Sequence, residues 1–295
     1  MLAAPRIAAI TAICVGAALL MFDRTGSTET LVQRGAYLVN TIAACGRCHT
    51  PRDAKGNPIA AMELAGGFKF DDGVIGHVVG PNITPDRETG IGRWSEGQII
   101  AALRYGTRPD GTIIGAPMPI AAYRDISDSD LTAIAKYLHS MRPIRHSVAR
   151  TQYKTAPSPQ DQATIHVETP PPQDRLRYGG YLAGPIGHCY GCHTVLRADG
   201  SSLDRRWFYA GGRELPDYGD VTRQVVSRNI TSDPVDGIGK WSGAEIKRAI
   251  TIGIRPDGTR LAPTMPSHWY KGIATADLDA IVAFLRTVKP LKTPN

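Results

Sequence analysis

Apolar and polar positions along the chain alternate with helical spacing in six segments, which fall into two sets of three. The first set opens with Leu31, Arg34, Gly35, Tyr37 and Leu38. It continues with Ile99, Ile100 and Leu103, and closes with Leu131, Ile134, Ala135, Leu138 and Met141. Such three-and-four spacing puts apolar residues on one face of a helix. The second set repeats it: Tyr178, Gly179, Tyr181 and Leu182; then Ile246, Ile250 and Ile252; then Leu278, Ile281, Val282 and Leu285. Punctuation residues agree. Ser95 with Gln98 and Ser242 with Glu245 fit a capping box, Gly106 and Gly253 suit a C-terminal stop, a helix start falls near Ser127, and Pro143 and Pro290 end the last helices. No strand-like alternation of any length competes, so each set predicts a mostly α domain with long loops.

The two sets are copies. Asn82-Ile83-Thr84 recurs as Asn229-Ile230-Thr231, and Gly90-Ile91-Gly92-Arg93-Trp94-Ser95 as Gly237-Ile238-Gly239-Lys240-Trp241-Ser242. Arg108-Pro109-Asp110-Gly111 recurs as Arg255-Pro256-Asp257-Gly258, Met118-Pro119 as Met265-Pro266, and Tyr123 as Tyr270. All are offset by 147. A repeat at a fixed period signals a duplicated unit. The predicted boundaries are residues 31–144 and 174–295. A Pro-rich extended linker covers 145–173, with Pro170-Pro171-Pro172 and almost no apolar periodicity.

Residues 1–30 read as a signal or membrane anchor with a polar tether. Arg6 precedes an apolar run from Ile7 to Phe22, with Asp23 and Arg24 beyond it. That run is long for a signal peptide and short for a spanning helix, and no A-x-A cleavage site follows. An uncleaved anchor is the expectation over a cleaved signal, with Arg6 keeping the N-terminus inside and the body exported.

Composition adds little until the cysteines are placed. Of five, four lie in Cys45-Gly46-Arg47-Cys48-His49 and Cys189-Tyr190-Gly191-Cys192-His193, and Cys14 lies in the apolar N-terminus, which leaves no pair for a disulfide. C-x-x-C-H is the spacing for attachment of c-type haem. Two thiols one helical turn apart add to the two porphyrin vinyl groups, and the adjacent imidazole binds the iron from one side. The motifs are offset by 144, against 147 elsewhere, so a small insertion follows the second. A thioredoxin-like C-x-x-C wants a βαβ context that neither copy offers.

A sixth ligand is expected from Met118 in Ala116-Pro117-Met118-Pro119 and from Met265 in Pro263-Thr264-Met265-Pro266. Flanking prolines restrict the backbone and remove amide donors, which suits a loop that presents one sulfur. His268 competes in the second copy, where the first has Ala121. Met62, His77 and His188 have no counterpart and read as surface or packing residues, and Trp94 and Trp241 as packing at a haem edge. Net charge is +7, and it is uneven. Residues 31–144 hold 12 Lys+Arg against 11 Asp+Glu, and 174–295 hold 17 against 12. The excess reads as a solvated face, with steering of an acidic protein partner as the alternative, and no basic-aromatic interleaving suggests nucleic acid.

The ordered set C-x-x-C-H, Asn-Ile-Thr-Pro-Asp, Thr-Gly-Ile-Gly-x-Trp-Ser, Arg-Pro-Asp-Gly, Met-Pro and a closing Tyr-to-Pro helix resembles the cytochrome c subunits of bacterial membrane-bound dehydrogenases of the alcohol, gluconate and sorbitol type. The second copy departs at Thr231-Ser232-Asp233 and Ser267-His268-Trp269, and those subunits usually carry three haem domains where this chain carries two. The expected fold is two tandem class I cytochrome c domains. Cys45, Cys48, Cys189 and Cys192 would attach two haems c, with His49, Met118, His193 and Met265 on the irons. The resemblance implies a relay at the periplasmic face of the inner membrane. Its donor would be a dehydrogenase catalytic subunit holding flavin, pyrroloquinoline quinone or molybdopterin, and its acceptor a quinone, cytochrome or terminal oxidase. The rival is a dihaem enzyme of peroxidase or thiosulfate-oxidising type, which needs an open sixth position on one iron.

Overall fold

The computed structural model describes residues 29–159, 161, 163–200 and 202–294. The anchor expected in residues 1–28, and Cys14 with it, lies outside the described residues. Among those described, no helix is long and apolar enough to cross a membrane.

In the first copy, α1 (Leu31–Asn40) packs against α5 (Asp128–Ser140). Thr30 and Gln33 close a capping box at the start of α1, so the segment read as tether already carries the helix cap. The two helices cross at Gly35, where an added Cβ would lie 2.0 Å from the Ala133 carbonyl oxygen. The second copy repeats this with α6 (Arg175–Tyr181) and α10 (Thr275–Leu285), crossing at Gly179 2.0 Å from the Ala280 oxygen. Glycine is needed at both crossings, whatever it subtracts from helix propensity.

Within each copy a third helix packs on the last one, α3 (Glu96–Tyr105) on α5 and α8 (Gly243–Ile252) on α10. Both carry the expected capping boxes, and both end in a left-handed glycine, at φ 68° for Gly106 and 71° for Gly253. Leu38, Ile42, Leu131, Leu182 and Ile186 are among the fully buried side chains, in one core that runs through both copies.

The loops hold strands that the sequence pattern did not reveal. In the first copy β1 (Lys69–Asp72) pairs antiparallel with β2 (Gly76–Val79), with Phe70 opposite Val78. The second copy has β4 (Glu214–Asp217) against β5 (Asp220–Val226). Each strand of the first hairpin has four residues, too few to stand out from the loop around it. β5 is mostly exposed on both faces, so it has no alternation to show.

The Pro-rich segment lies on the first copy. Its β3 (Gln152–Tyr153) adds a third strand to β2, and Tyr153 Oη accepts from the Gly115 amide at 2.9 Å. His146 Nδ1 donates to the Ala65 carbonyl at 2.9 Å, and the Arg104 guanidinium donates to the Ile165 carbonyl at 3.0 Å. The Asp128 amide, at the start of α5, donates to the Val167 carbonyl at 2.9 Å. An extended chain buries little of its own, so docking its backbone polar groups on a neighbour is what holds it.

The copies meet through segments next to the haem motifs. The Trp269 indole lies against Gly46, and Gly272 lies against Thr41. In return the Tyr123 ring meets His188 edge-on at 5.8 Å.

Candidate haem sites

Each C-x-x-C-H forms one helical turn, α2 (Gly46–His49) and α7 (Cys189–Cys192). The Cys45 carbonyl accepts from the Cys48 and His49 amides at 3.2 and 3.0 Å, and the Cys189 carbonyl from His193 at 3.0 Å. The turn thereby puts both cysteines of a motif on one side. Just before the first cysteine, Ala44 and His188 both adopt positive φ, 47° and 39°. Few non-glycine residues do so, and the repetition marks a tight entry to the turn.

The histidines are aimed by a second contact. His49 Nδ1 donates to the Pro81 carbonyl at 2.8 Å, and His193 Nδ1 to the Arg228 carbonyl at 2.6 Å. A carbonyl only accepts, so the proton sits on Nδ1 and the lone pair on Nε2, the arrangement expected of a metal-bound imidazole. Burial lowers the pKa of both rings, which keeps them neutral.

The supporting loop is equally duplicated. Thr50 Oγ1 accepts from the Leu64 amide and Thr194 Oγ1 from the Tyr209 amide, both at 3.1 Å. Gly66 and Gly211 donate to the His49 and His193 carbonyls at 2.7 and 2.9 Å. Asn82 Oδ1 accepts from the Thr84 amide at 2.9 Å while its Nδ2 donates to the Ile144 carbonyl at 2.8 Å. Asn229 does the same with Thr231 at 2.9 Å and Leu291 at 2.7 Å. The Asn-Ile-Thr repeat thus pins the loop carrying the Pro81 or Arg228 acceptor to the chain just beyond each last helix.

The four motif cysteines are free of disulfides. Burial pushes the Cys45 and Cys189 thiols up to about 12 and raises Cys48 as well, so they stay protonated at neutral pH. No group of three or more His, Cys, Asp or Glu among the described residues is arranged to hold a metal ion. Paired thiols beside an oriented imidazole are the attachment and ligand set that haem c uses, and the residues present fit that group.

Met118 and Met265 sit in loops just before α4 (Ile120–Tyr123) and α9 (Ser267–Tyr270). Both are partly buried and packed against the core. His268 is exposed, edge-on to Trp269 at 5.0 Å. His77 lies on the surface, 2.8 Å from Asp71, whereas His188 is half-buried between the copies. Trp94 and Trp241 are partly buried against the core. What sequence reading missed is the pairing of the copies at the motifs. Arg47, a variable position of the first motif, is buried there and touches the second.

No family model matches the chain. It is 28% identical over 284 residues to the cytochrome c subunit of a quinone alcohol dehydrogenase from Gluconacetobacter polyoxogenes, covering 89% of this chain and 57% of that one. It is 28% identical over 276 residues to the fructose dehydrogenase cytochrome subunit of Gluconobacter japonicus, covering 87% and 52%. A dihaem c-type cytochrome of Cereibacter sphaeroides is 26% identical over 273 residues, covering 84% and 83%. The chain spans little more than half the length of the dehydrogenase subunits it matches. Along most of its length the chain is thus similar to cytochrome c subunits of alcohol, fructose and gluconate dehydrogenases and to a dihaem cytochrome c.

Proposed function

We propose that this chain is a dihaem c-type cytochrome that relays single electrons from a dehydrogenase catalytic subunit to a quinone, a cytochrome or a terminal oxidase. One observation carries the reading: both C-x-x-C-H turns present a histidine fixed through Nδ1 to a backbone carbonyl, leaving Nε2 to bind iron. The similarity to dehydrogenase cytochrome subunits supports a catalytic dehydrogenase as donor; its own cofactor would be flavin, pyrroloquinoline quinone or molybdopterin. The residues before the first domain would hold it at the periplasmic face of the inner membrane, or leave it soluble in the periplasm if they are cleaved.

Cys45 and Cys48 would hold one haem and Cys189 and Cys192 the other. His49 and Met118 would hold one iron, and His193 and Met265 the other. The iron supplies one-electron chemistry; the protein supplies ligands, orientation and exclusion of water. With both methionines engaged, neither iron offers a position to a substrate.

The test is a haem count with optical and low-temperature EPR spectra of the full chain, including the near-infrared methionine-to-iron band. Two haems per chain, both low-spin and methionine-ligated and inert to carbon monoxide and peroxide, are expected. A high-spin centre, with its open sixth position, would overturn the reading in favour of a dihaem enzyme, and a bis-histidine centre would overturn the methionine ligand set.

A further inference from the structure

The relay leaves one feature without a role, a buried cation between the two motifs. Arg47 occupies the second variable position of the first C-x-x-C-H and is 7% exposed. Its guanidinium crosses to the second copy. It lies 4.6 Å over the Tyr218 ring, and Nη1 points at Cys192 Sγ from 4.0 Å. Its Nε has no hydrogen-bond partner. Beside it, Arg52 lies over the Phe68 ring at 4.6 Å and donates to the Gly56 and Arg47 carbonyls at 2.8 and 3.3 Å. Among the described residues neither guanidinium forms an ion pair with a carboxylate. The corresponding positions of the second copy are Gly191 and Leu196, so no cation returns the contact.

A guanidinium does not give up its proton, and in a buried site its charge is poorly screened. A fixed charge held this close to an attachment cysteine acts on whatever changes charge there. We infer that Arg47 sets the potential of the second haem: the first motif lends a fixed positive charge to the Cys192 side of the second, favouring its reduced iron. This rests on the reading of two haems c. Electron exchange between the irons oxidises one and reduces the other and moves no atoms, so relative potential alone sets its direction. The charge therefore biases electrons toward the second domain. Arg47 is a positioning residue in this sense, acting on the iron through space.

The experiment is a spectroelectrochemical titration of the full dihaem protein as wild type, Arg47→Gln and Arg47→Lys, with Met118→Ala used to assign the signals to domains. In Arg47→Gln the reduced-to-oxidised ratio of the second haem at fixed potential is expected to fall about ten-fold, about 59 mV for a one-electron couple. Arg47→Lys, which keeps the charge, should stay near wild type. Tyr218→Ala, outside the attachment motif, frees the guanidinium from its ring and should move the same haem in the same direction by less. It carries the test if Arg47→Gln fails to load haem. Unchanged potentials, a shift confined to the first haem, or equal shifts in Gln and Lys variants would overturn the inference while leaving the relay intact. Absence of a second haem in the wild type would instead sink the relay itself.

Discussion

Tyr37 in the first copy donates its hydroxyl to Asp277 Oδ2 in the second at 2.7 Å. The same bond runs the other way, Tyr181 to Asp130 Oδ2 at 2.7 Å, and the counterparts match residue for residue across the repeat. Each tyrosine oxygen also accepts an amide at the start of the other copy's last helix, Ala274 at 3.1 Å and Ser127 at 3.2 Å. Two-fold reciprocity of this kind requires the copies to be docked face to face.

The two bonds are unequal in burial, and so should be their removal. Asp130 is 3% exposed and is also held by Arg34 at 2.8 Å, whereas Asp277 is half-exposed. Tyr181→Phe should therefore cost about 2 kcal/mol and Tyr37→Phe about 1 kcal/mol or less. Chemical denaturation of the holoprotein checks the order, and a larger loss for Tyr37→Phe would contradict it.

Alkali should loosen the same interface. Burial, reinforced by the facing carboxylates, holds the Tyr37 and Tyr181 hydroxyls well above the ordinary tyrosine range. A tyrosine in the unfolded chain ionises near pH 10. The stabilising contribution is complete below about pH 10 and is lost as pH rises beyond it, because only the unfolded form then gives up its proton readily. Thermal unfolding between pH 8 and 11 should show a fall that is shallower in the Tyr37→Phe, Tyr181→Phe double variant, the other buried tyrosines carrying the rest.

At the helix crossings there is no room for one carbon. Gly35→Ala and Gly179→Ala each drive a Cβ into a carbonyl oxygen on the facing helix. Each is expected to lose at least about 2 kcal/mol and to lower haem incorporation in its own domain. Full stability in either variant would mean the helices do not cross there.

Loss of the Asn82 side chain should be felt at iron as well as in stability. Asn82→Ala frees the Ile144 carbonyl and the Thr84 amide beside the Pro81 acceptor of His49. The expected cost is about 2 kcal/mol. A change in the first-domain EPR signal with the second unaltered would show that the histidine has lost its orientation, and Asn229→Ala should reverse the pattern.

What could be read from sequence was whatever the chain specifies locally. Ser95 and Gln98, three apart, fix a helix start, and Ser127 is indeed the N-cap of α5. The attachment turns were visible because chemistry demands that spacing. Strands β1 and β2 were not, since four residues each carry no period worth the name. Nor was the docking of the Pro-rich segment, which mixes backbone groups with side chains such as Tyr153 and His146 whose partners lie far along the chain. Arg47 looked like a free variable in its motif because its partners, Tyr218 and Cys192, lie 171 and 145 positions away.

The reciprocal docking of the copies also sets a limit on growth. An isologous contact saturates once both faces are engaged, whereas a head-to-tail contact always leaves one face open for the next unit. Here the face beside each attachment turn is consumed by its twin, at Trp269 on Gly46 and at Tyr123 on His188. The architecture is that of a closed couple and not a link in an open wire. A third redox centre must therefore reach either domain from another side.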